Sequence, residues 1–155
     1  MNRKVLIFLY IAVFSAALVF AYIRFAPTNA SALHNDPATA YSTGRPNAYR
    51  LKGGHAPIFE IPAAKLAKLV DDFALSQPRV MRIAGSIDEM MITYVQRSLI
   101  MGYPDYITIK VTPLENGQSK MEIFSRSRFG HSDLGVNKRR IDHWILALRA
   151  QAALA

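Results

Sequence analysis

Cysteine is absent from the 155 residues. That excludes disulfides, cysteine-ligated metal centres and a thiol nucleophile, and it removes the thiol that a lipid anchor would need. Acidic residues are few: eleven Asp and Glu stand against nineteen Lys and Arg, a formal net charge of +8. The four histidines, His34, His55, His131 and His143, are scattered, with no carboxylate cluster beside them. A metal shell is therefore not expected, and no cofactor is expected either. Internal repeats and low-complexity tracts are also missing, so a chain of this length has room for one domain with a real core.

The first feature present is an apolar run. Val5 to Ile23 carries no charge, and only Ser15 and two tyrosines break it. At about 1.5 Å per residue, a helix of that length crosses a ~30 Å hydrocarbon layer. Arg3 and Lys4 precede the run and Arg24 follows it, a basic bias that favours a cytoplasmic N-terminus and an exported C-terminal domain. A cleaved secretory signal is the competing reading, because Ala30-Ser31-Ala32 has the small-x-small form of a cleavage site. The apolar run is longer than a usual signal core, however, and the Ala-Ser-Ala lies several residues beyond it. The expected layout is an N-terminal membrane anchor over 1–25, an extended linker over 26–57 and an exported α+β domain over 58–155. The expected location is the cytoplasmic (inner) membrane, single-pass, with the domain on the periplasmic side. Export sets nucleic acid aside as the partner of the positive charge. What remains is the lipid bilayer, an anionic lipid, an envelope polymer or a protein partner, or a basic surface with no dedicated ligand.

Residues 26–57 are rich in Ala, Pro, Gly, Asn and Thr and show neither helical nor strand periodicity, so they read as a tether or as extended chain lying on the domain. A helix is expected from Pro62 to about Ser76, with Leu66, Leu69, Val70 and Phe73 as its apolar stripe and Lys65, Lys68, Asp71 and Asp72 on other faces. Strands are expected over Arg79–Ala84, over Glu89 to about Met101, the latter long enough to bend, over Tyr106–Thr112 and over Lys120–Arg128. In the third, Ile107, Ile109 and Val111 alternate with Thr108 and Lys110, the pattern of a half-buried antiparallel strand. In the fourth, Met121 and Ile123 oppose Glu122, Phe124, Arg126 and Arg128. A last helix is expected from about Lys138 to Gln151, with Asn137 as N-cap, Val136 stapled against Ile141, and Ile141, Ile145, Leu148 and Ala152 as core. The fold class is α+β: a mainly antiparallel sheet with an N-terminal and a C-terminal helix packed on it, preceded by one transmembrane helix. A helix-grip arrangement, in which a curved sheet wraps the last helix around an apolar cavity, fits this order.

Residues 125–137, Ser-Arg-Ser-Arg-Phe-Gly-His-Ser-Asp-Leu-Gly-Val-Asn, put two arginines at strand spacing just before a polar turn and a basic helix. Together with Gln96-Arg97-Ser98, Pro104-Asp105 and the GRPNAY run at 44–49, this stretch resembles the uncharacterised bacterial family catalogued as domain of unknown function 1499 over roughly Asp36 to Leu148. The resemblance implies a small envelope domain behind a membrane anchor and brings no activity with it.

The residues themselves define a candidate binding set of Arg97, Asp105, Arg126, Arg128, Asp133, Asn137 and Arg140. In one reading the arginines pair with Asp105 and Asp133 and lock the turn before the last helix. In the other, surplus guanidinium donors converge on an anionic ligand. Lys138, Arg139 and Arg140 crowd the first turn of that helix, where the dipole disfavours cations, so something acidic should sit nearby. The expected function is a membrane-anchored, non-catalytic envelope module that binds an anionic or amphipathic ligand or a protein partner. The alternative is a hydrolase or other enzyme centred on Ser127, His131 and Asp133. Its spacing is poor, since all three come from one short strand and turn with no nucleophile elbow.

Overall fold

The computed structural model of the chain describes residues 2–154. The apolar run forms α1 (Arg3–Phe25), opened by Asn2, whose side chain accepts a hydrogen bond from the Lys4 N–H. Most of its side chains face outward, Ile23 in the last turn being buried. Only 6% of its most apolar stretch is buried, where the core helix of a soluble protein would be mostly covered, and it is long and apolar enough to cross a membrane.

The rest of the chain is α+β. Strands β1 (Ala48–Leu51), β2 (Ile58–Phe59), β3 (Val80–Ser86), β4 (Met91–Arg97), β5 (Pro104–Pro113) and β6 (Ser119–Ser127) make one antiparallel sheet in the order β1-β6-β5-β4-β3, with β2 also paired to β6. A short helix, α2 (Ala30–Leu33), precedes β1, and two longer ones, α3 (Ala63–Ser76) and α4 (Val136–Ala152), pack on one face. Ile107, Ile109, Val111, Met121 and Ile123 point into that face and are buried, as the alternation of the strands requires. Leu66, Val70 and Phe73 of α3 meet them, with Ile141 and Leu148 of α4. The C-terminal helix lies against the sheet as a helix-grip order implies. Trp144 fills the space beneath α4, edge-on to Phe73 at 5.8 Å and to Tyr94 at 6.3 Å.

Local details differ from the expected pattern. β4 stops at Arg97 instead of running to Met101, because residues 98–103 close on themselves. Ser98 and Tyr103 exchange two hydrogen bonds of 2.9 Å, the Arg97 guanidinium donates to the Gly102 carbonyl at 3.0 Å, and Gly102 takes φ 71°. Asp71, on a face of α3 other than the apolar stripe, is nevertheless interior. It is 3% exposed, accepts a hydrogen bond from the Tyr94 hydroxyl at 3.0 Å and pairs with Arg82. Helical spacing could not show this, because the partners come from β3 and β4. Asn137 is not the N-cap of α4 either. The helix begins two residues earlier, at Val136 after Gly135, which is held at φ 78°, and Asn137 turns inward and is fully buried.

The second face of the sheet is also covered. Thr93 and Thr108, on the polar side of β4 and β5, are fully buried, so β5 is not the half-buried strand that its alternation suggests. Residues 26–52 provide the cover, lying across the sheet and ending in β1. Unpaired main-chain groups of this irregular segment need partners, and the polar sheet residues supply them. Thr108 and Arg126 donate to the Leu33 carbonyl, and Lys110 pairs with Asp36. The His34 ring is 2.9 Å from the Thr93 hydroxyl, and Arg50 donates to the Ala40 carbonyl. One glycine is obligatory here: Gly85 sits at φ 77° beside the irregular register of β3, and a Cβ there would fall 2.0 Å from the Met91 carbonyl oxygen.

The buried carboxylate yields a stability test. Asp71→Ala strands a hydroxyl and a guanidinium and should lower the unfolding free energy by about 2 kcal/mol, whereas Tyr94→Phe removes one hydrogen bond and should cost about 1 kcal/mol. Denaturant titration of the detergent-solubilised chain, followed through the single Trp144, measures both.

Candidate functional site

β6 alternates across the sheet, so the seven candidate residues are divided between its two faces. On the helix side, Asp105 of β5 faces Ser127 of β6, and beside them the first turn of α4 brings Asn137 and Arg140. Arg140 donates to one Asp105 oxygen at 2.6 Å and Ser127 donates to the other, also at 2.6 Å. The Asn137 side-chain oxygen accepts from Ser125 at 2.5 Å and from Arg140 at 2.7 Å. Its amide donates to the Asn47 carbonyl at 3.1 Å, to Ser127 at 3.0 Å and to Asp133 at 2.7 Å. Asp133 does the capping expected of Asn137. Its two oxygens accept from the N–H groups of Gly135 at 2.9 Å and Asn137 at 2.7 Å. Burial alone would raise the Asp133 pKa, but those N–H donors and the Asn137 amide outweigh it and hold the carboxyl below its ordinary 3.8.

The three cations of the α4 first turn are each accommodated. Lys138 pairs with Asp142 at 2.5 Å, Arg139 donates to the Leu134 carbonyl at 2.8 Å, and Arg140 takes Asp105. The acid at the helix N-terminus is Asp133 itself. The set Ser127, His131 and Asp133 is not assembled as a triad. Ser127 is bonded to Asp105 and Asn137, Asp133 to the helix start, and His131 is exposed with no hydrogen bond to either among the described residues. No group of three or more His, Asp or Glu among the described residues is placed to hold a metal ion.

Arg126 and Arg128 leave the opposite face and meet neither Asp105 nor Asp133. Arg126 donates to the Leu33 carbonyl at 2.7 Å and lies over the Phe124 ring, 4.5 Å from its centre. Arg50 lies over the same ring at 4.0 Å. Arg128 donates to the Pro27 carbonyl at 2.6 Å. Arg97 is held to the 98–103 loop through Gly102 and shares a cleft with Asp105 and Arg140. Burial, reinforced by the charge of Arg50, pushes the Arg126 pKa down to about 10. Between Arg126, Arg128 and the 41–48 segment is a pocket of ≈ 120 Å³ whose wall includes Tyr41, Thr43 and Arg45. Among the described residues no carboxylate pairs with Arg45, Arg50, Arg126 or Arg128. Arg45 and Arg50 are absent from the set chosen on sequence. The GRPNAY run at 44–49 marks their neighbourhood, but only the pairing of β1 with β6 sets Arg50 over Phe124, with Arg45 on the wall of the adjoining pocket.

Two larger clefts flank the helix side. One, of ≈ 430 Å³, is lined by Arg79, Arg97, Arg139, Arg140 and Asp105, and the other, of ≈ 420 Å³, by Ile23, Tyr103, Phe129, Asp133 and Val136. Val136, expected to staple against Ile141, is 40% exposed at their common edge.

Fold and site thus define a small α+β domain with a clad sheet, set behind an apolar N-terminal helix. The chain belongs to the family described as protein of unknown function (DUF1499), whose model matches residues 28–148. No curated protein matches the sequence. Among solved structures, the chain is similar to the di-domain ARO/CYC BexL from the BE-7585A biosynthetic pathway, with 15% identity and a TM-score of 0.43 over 66% of this chain. It spans 44% of the length of that protein.

Two outcomes test the polar network. Asn137→Ala should cost about 3 kcal/mol, because it leaves several buried partners unsatisfied at once. For Asp133, the folded carboxyl titrates below the unfolded one, so its contribution is complete above 3.8 and is lost as pH falls through the folded value. The stability gap between wild type and Asp133→Asn should therefore shrink as pH drops from about 5 to about 2. Thermal melts over that range measure it, and a gap that stays constant would show that the carboxylate charge is immaterial.

Proposed function

We propose that the chain is a single-pass envelope protein, anchored in the inner membrane by α1, whose periplasmic domain is a non-catalytic module binding an oxyanion in the pocket between β6 and residues 41–48. One observation carries the reading. Arg45, Arg50, Arg126 and Arg128 gather on one face with no carboxylate partner among the described residues, and Arg126 is depressed to about 10. Arg50 and Arg126 are partly buried without a compensating charge, which costs free energy that an anion would offset. A guanidinium fork matches phosphate or carboxylate, and the pocket volume suits one such group carried on a lipid headgroup, an envelope polymer or a protein partner. Several donors of these arginines are taken by main-chain carbonyls, which positions the guanidinium groups without neutralising them.

The membrane part rests on α1 and on the bias of Arg3 and Lys4. Retention of the helix is favoured over cleavage at Ala30-Ser31-Ala32. Ile23 and Ala26 are buried against the domain, and the cleavage motif itself is wound into α2. A fusion of alkaline phosphatase after Ala155 should be active. A stable but inactive fusion would place the domain inside the cell.

Arg45 is exposed, so Arg45→Gln separates binding from folding. Inorganic phosphate should raise the melting temperature of the detergent-solubilised chain more than sodium chloride at equal ionic strength. That excess should fall in Arg45→Gln, with the phosphate-free melt unchanged, and vanish in Arg126→Gln with Arg128→Gln. Equal effects of phosphate and chloride would refute an oxyanion site.

A further inference from the structure

The last turn of α1 is packed against two loops of the domain. Tyr22 meets Phe129 edge-on at 6.1 Å, and Phe129 meets Tyr103 at 6.0 Å. Ile23 is 6% exposed in the cleft with Tyr103 and Phe129. Gly102, at φ 71°, lies so close to Arg24 that a Cβ would fall 3.1 Å from its guanidinium. The loops 98–103 and 129–135 are thus joined to the end of the apolar helix, and they carry apolar side chains that nothing in the domain covers. Leu99 is 72% exposed, Ile100 77% and Leu134 84%. Leu134 is also held at φ 53°, a left-handed conformation that an L-residue avoids, so the turn carries strain while presenting that side chain outward.

Depth follows from the helix. α1 has 23 residues, about 34 Å at 1.5 Å each, against a hydrocarbon layer of ~30 Å, so its C-terminal turn lies at the boundary between acyl chains and headgroups. Tyr22 is in that turn, and Phe129 and Tyr103 are drawn to the same level, where aromatic rings gather. Arg97 and Arg139 line the neighbouring cleft together with Ser98 and Val136, placing cations beside the apolar tips as lipid phosphates require.

We infer that loops 98–103 and 129–135 form a membrane-docking surface, in which Leu99, Ile100 and Leu134 enter the interface of the same bilayer that α1 crosses and hold the domain down on it. This rests on α1 being a retained membrane span. The occupant is the lipid interface, because the patch continues the apolar surface of α1. A second copy of the chain would instead need a matching face. Docking of this kind fixes which side of the domain faces the lipid, and hence the orientation of the clefts and the arginine pocket.

The cysteine-free chain permits a direct test with single cysteines carrying an environment-sensitive fluorophore. Full-length Ile100→Cys, Leu134→Cys, Leu146→Cys and Phe14→Cys are placed in vesicles of phosphatidylethanolamine and phosphatidylglycerol. Leu146, 70% exposed on α4, reports the aqueous side, and Phe14 reports the span. Labels at Ile100 and Leu134 should be several-fold less quenched by aqueous iodide than the label at Leu146, and should be quenched by lipids bearing a nitroxide near the headgroup. If Phe14 is in lipid while Ile100 behaves like Leu146, docking is wrong and the anchor stands. If Phe14 is itself in water, the anchor fails and docking with it. Protection of Ile100 that fades as the protein is diluted into excess lipid would assign the patch to a second copy and overturn the proposal.

Discussion

The burial of Asn137 is the constraint on which the rest of this domain depends. One amide side chain, fully excluded from solvent, accepts from Ser125 and Arg140 and donates to Asn47, Ser127 and Asp133. These partners come from β6, from the turn before α4, from α4 itself and from the chain entering β1. A buried amide that loses any of them incurs the desolvation cost of the stranded group, so the four pieces hold one another in place. Asp133 and Asp105 extend the same network, one closing the start of α4 and the other neutralising Arg140. Polar groups in low dielectric specify geometry more strictly than apolar contact does, since an apolar side chain tolerates a small slide and a hydrogen-bonded amide does not.

The second governing feature is that both faces of the sheet are covered, by different means. α3 and α4 bury an aliphatic face in the ordinary way. The other face is covered by an irregular segment whose own turns satisfy only part of its polar groups, and Thr108, Arg126, Arg128, Lys110 and Arg50 become its fasteners. The arginines therefore have a scaffold duty whether or not they bind anything. The two duties are compatible, because a guanidinium has five N–H donors and a carbonyl bond uses one of them. What scaffolding leaves unexplained is the clustering of like charge around Phe124 without an acid, and the proposed oxyanion accounts for that.

The junction between α1 and the domain adds a third element. Ile23 and Ala26 are buried, and Tyr22, Phe129 and Tyr103 form a row of rings, so helix and domain share packed surface and are more than tethered. A domain held this way presents one side to whatever surrounds the end of the helix.

Much of this was legible in the sequence. Strand alternation placed Ile107, Ile109, Val111, Met121 and Ile123 in the core, helical spacing did the same for Leu66, Val70, Ile141 and Leu148, and an uncharged run of membrane length marked α1. Each of these signals is local, because period and hydropathy are properties of consecutive residues. The family, too, was legible, in short runs of consecutive residues such as 125–137, and its model matches residues 28–148. Tertiary structure alone decided that Asp71 and Asn137 are interior, that the 26–52 segment lies on the sheet, that Arg126 and Arg128 face away from Asp105 and Asp133, and that Arg45 and Arg50 join them. The physical reason is the same in every case. Whether a polar side chain is solvated or buried depends on its partners, and the deciding partners are distant in the chain, 11 residues for Asp71 and Arg82 and 101 for Arg128 and Pro27, where no local period can register them.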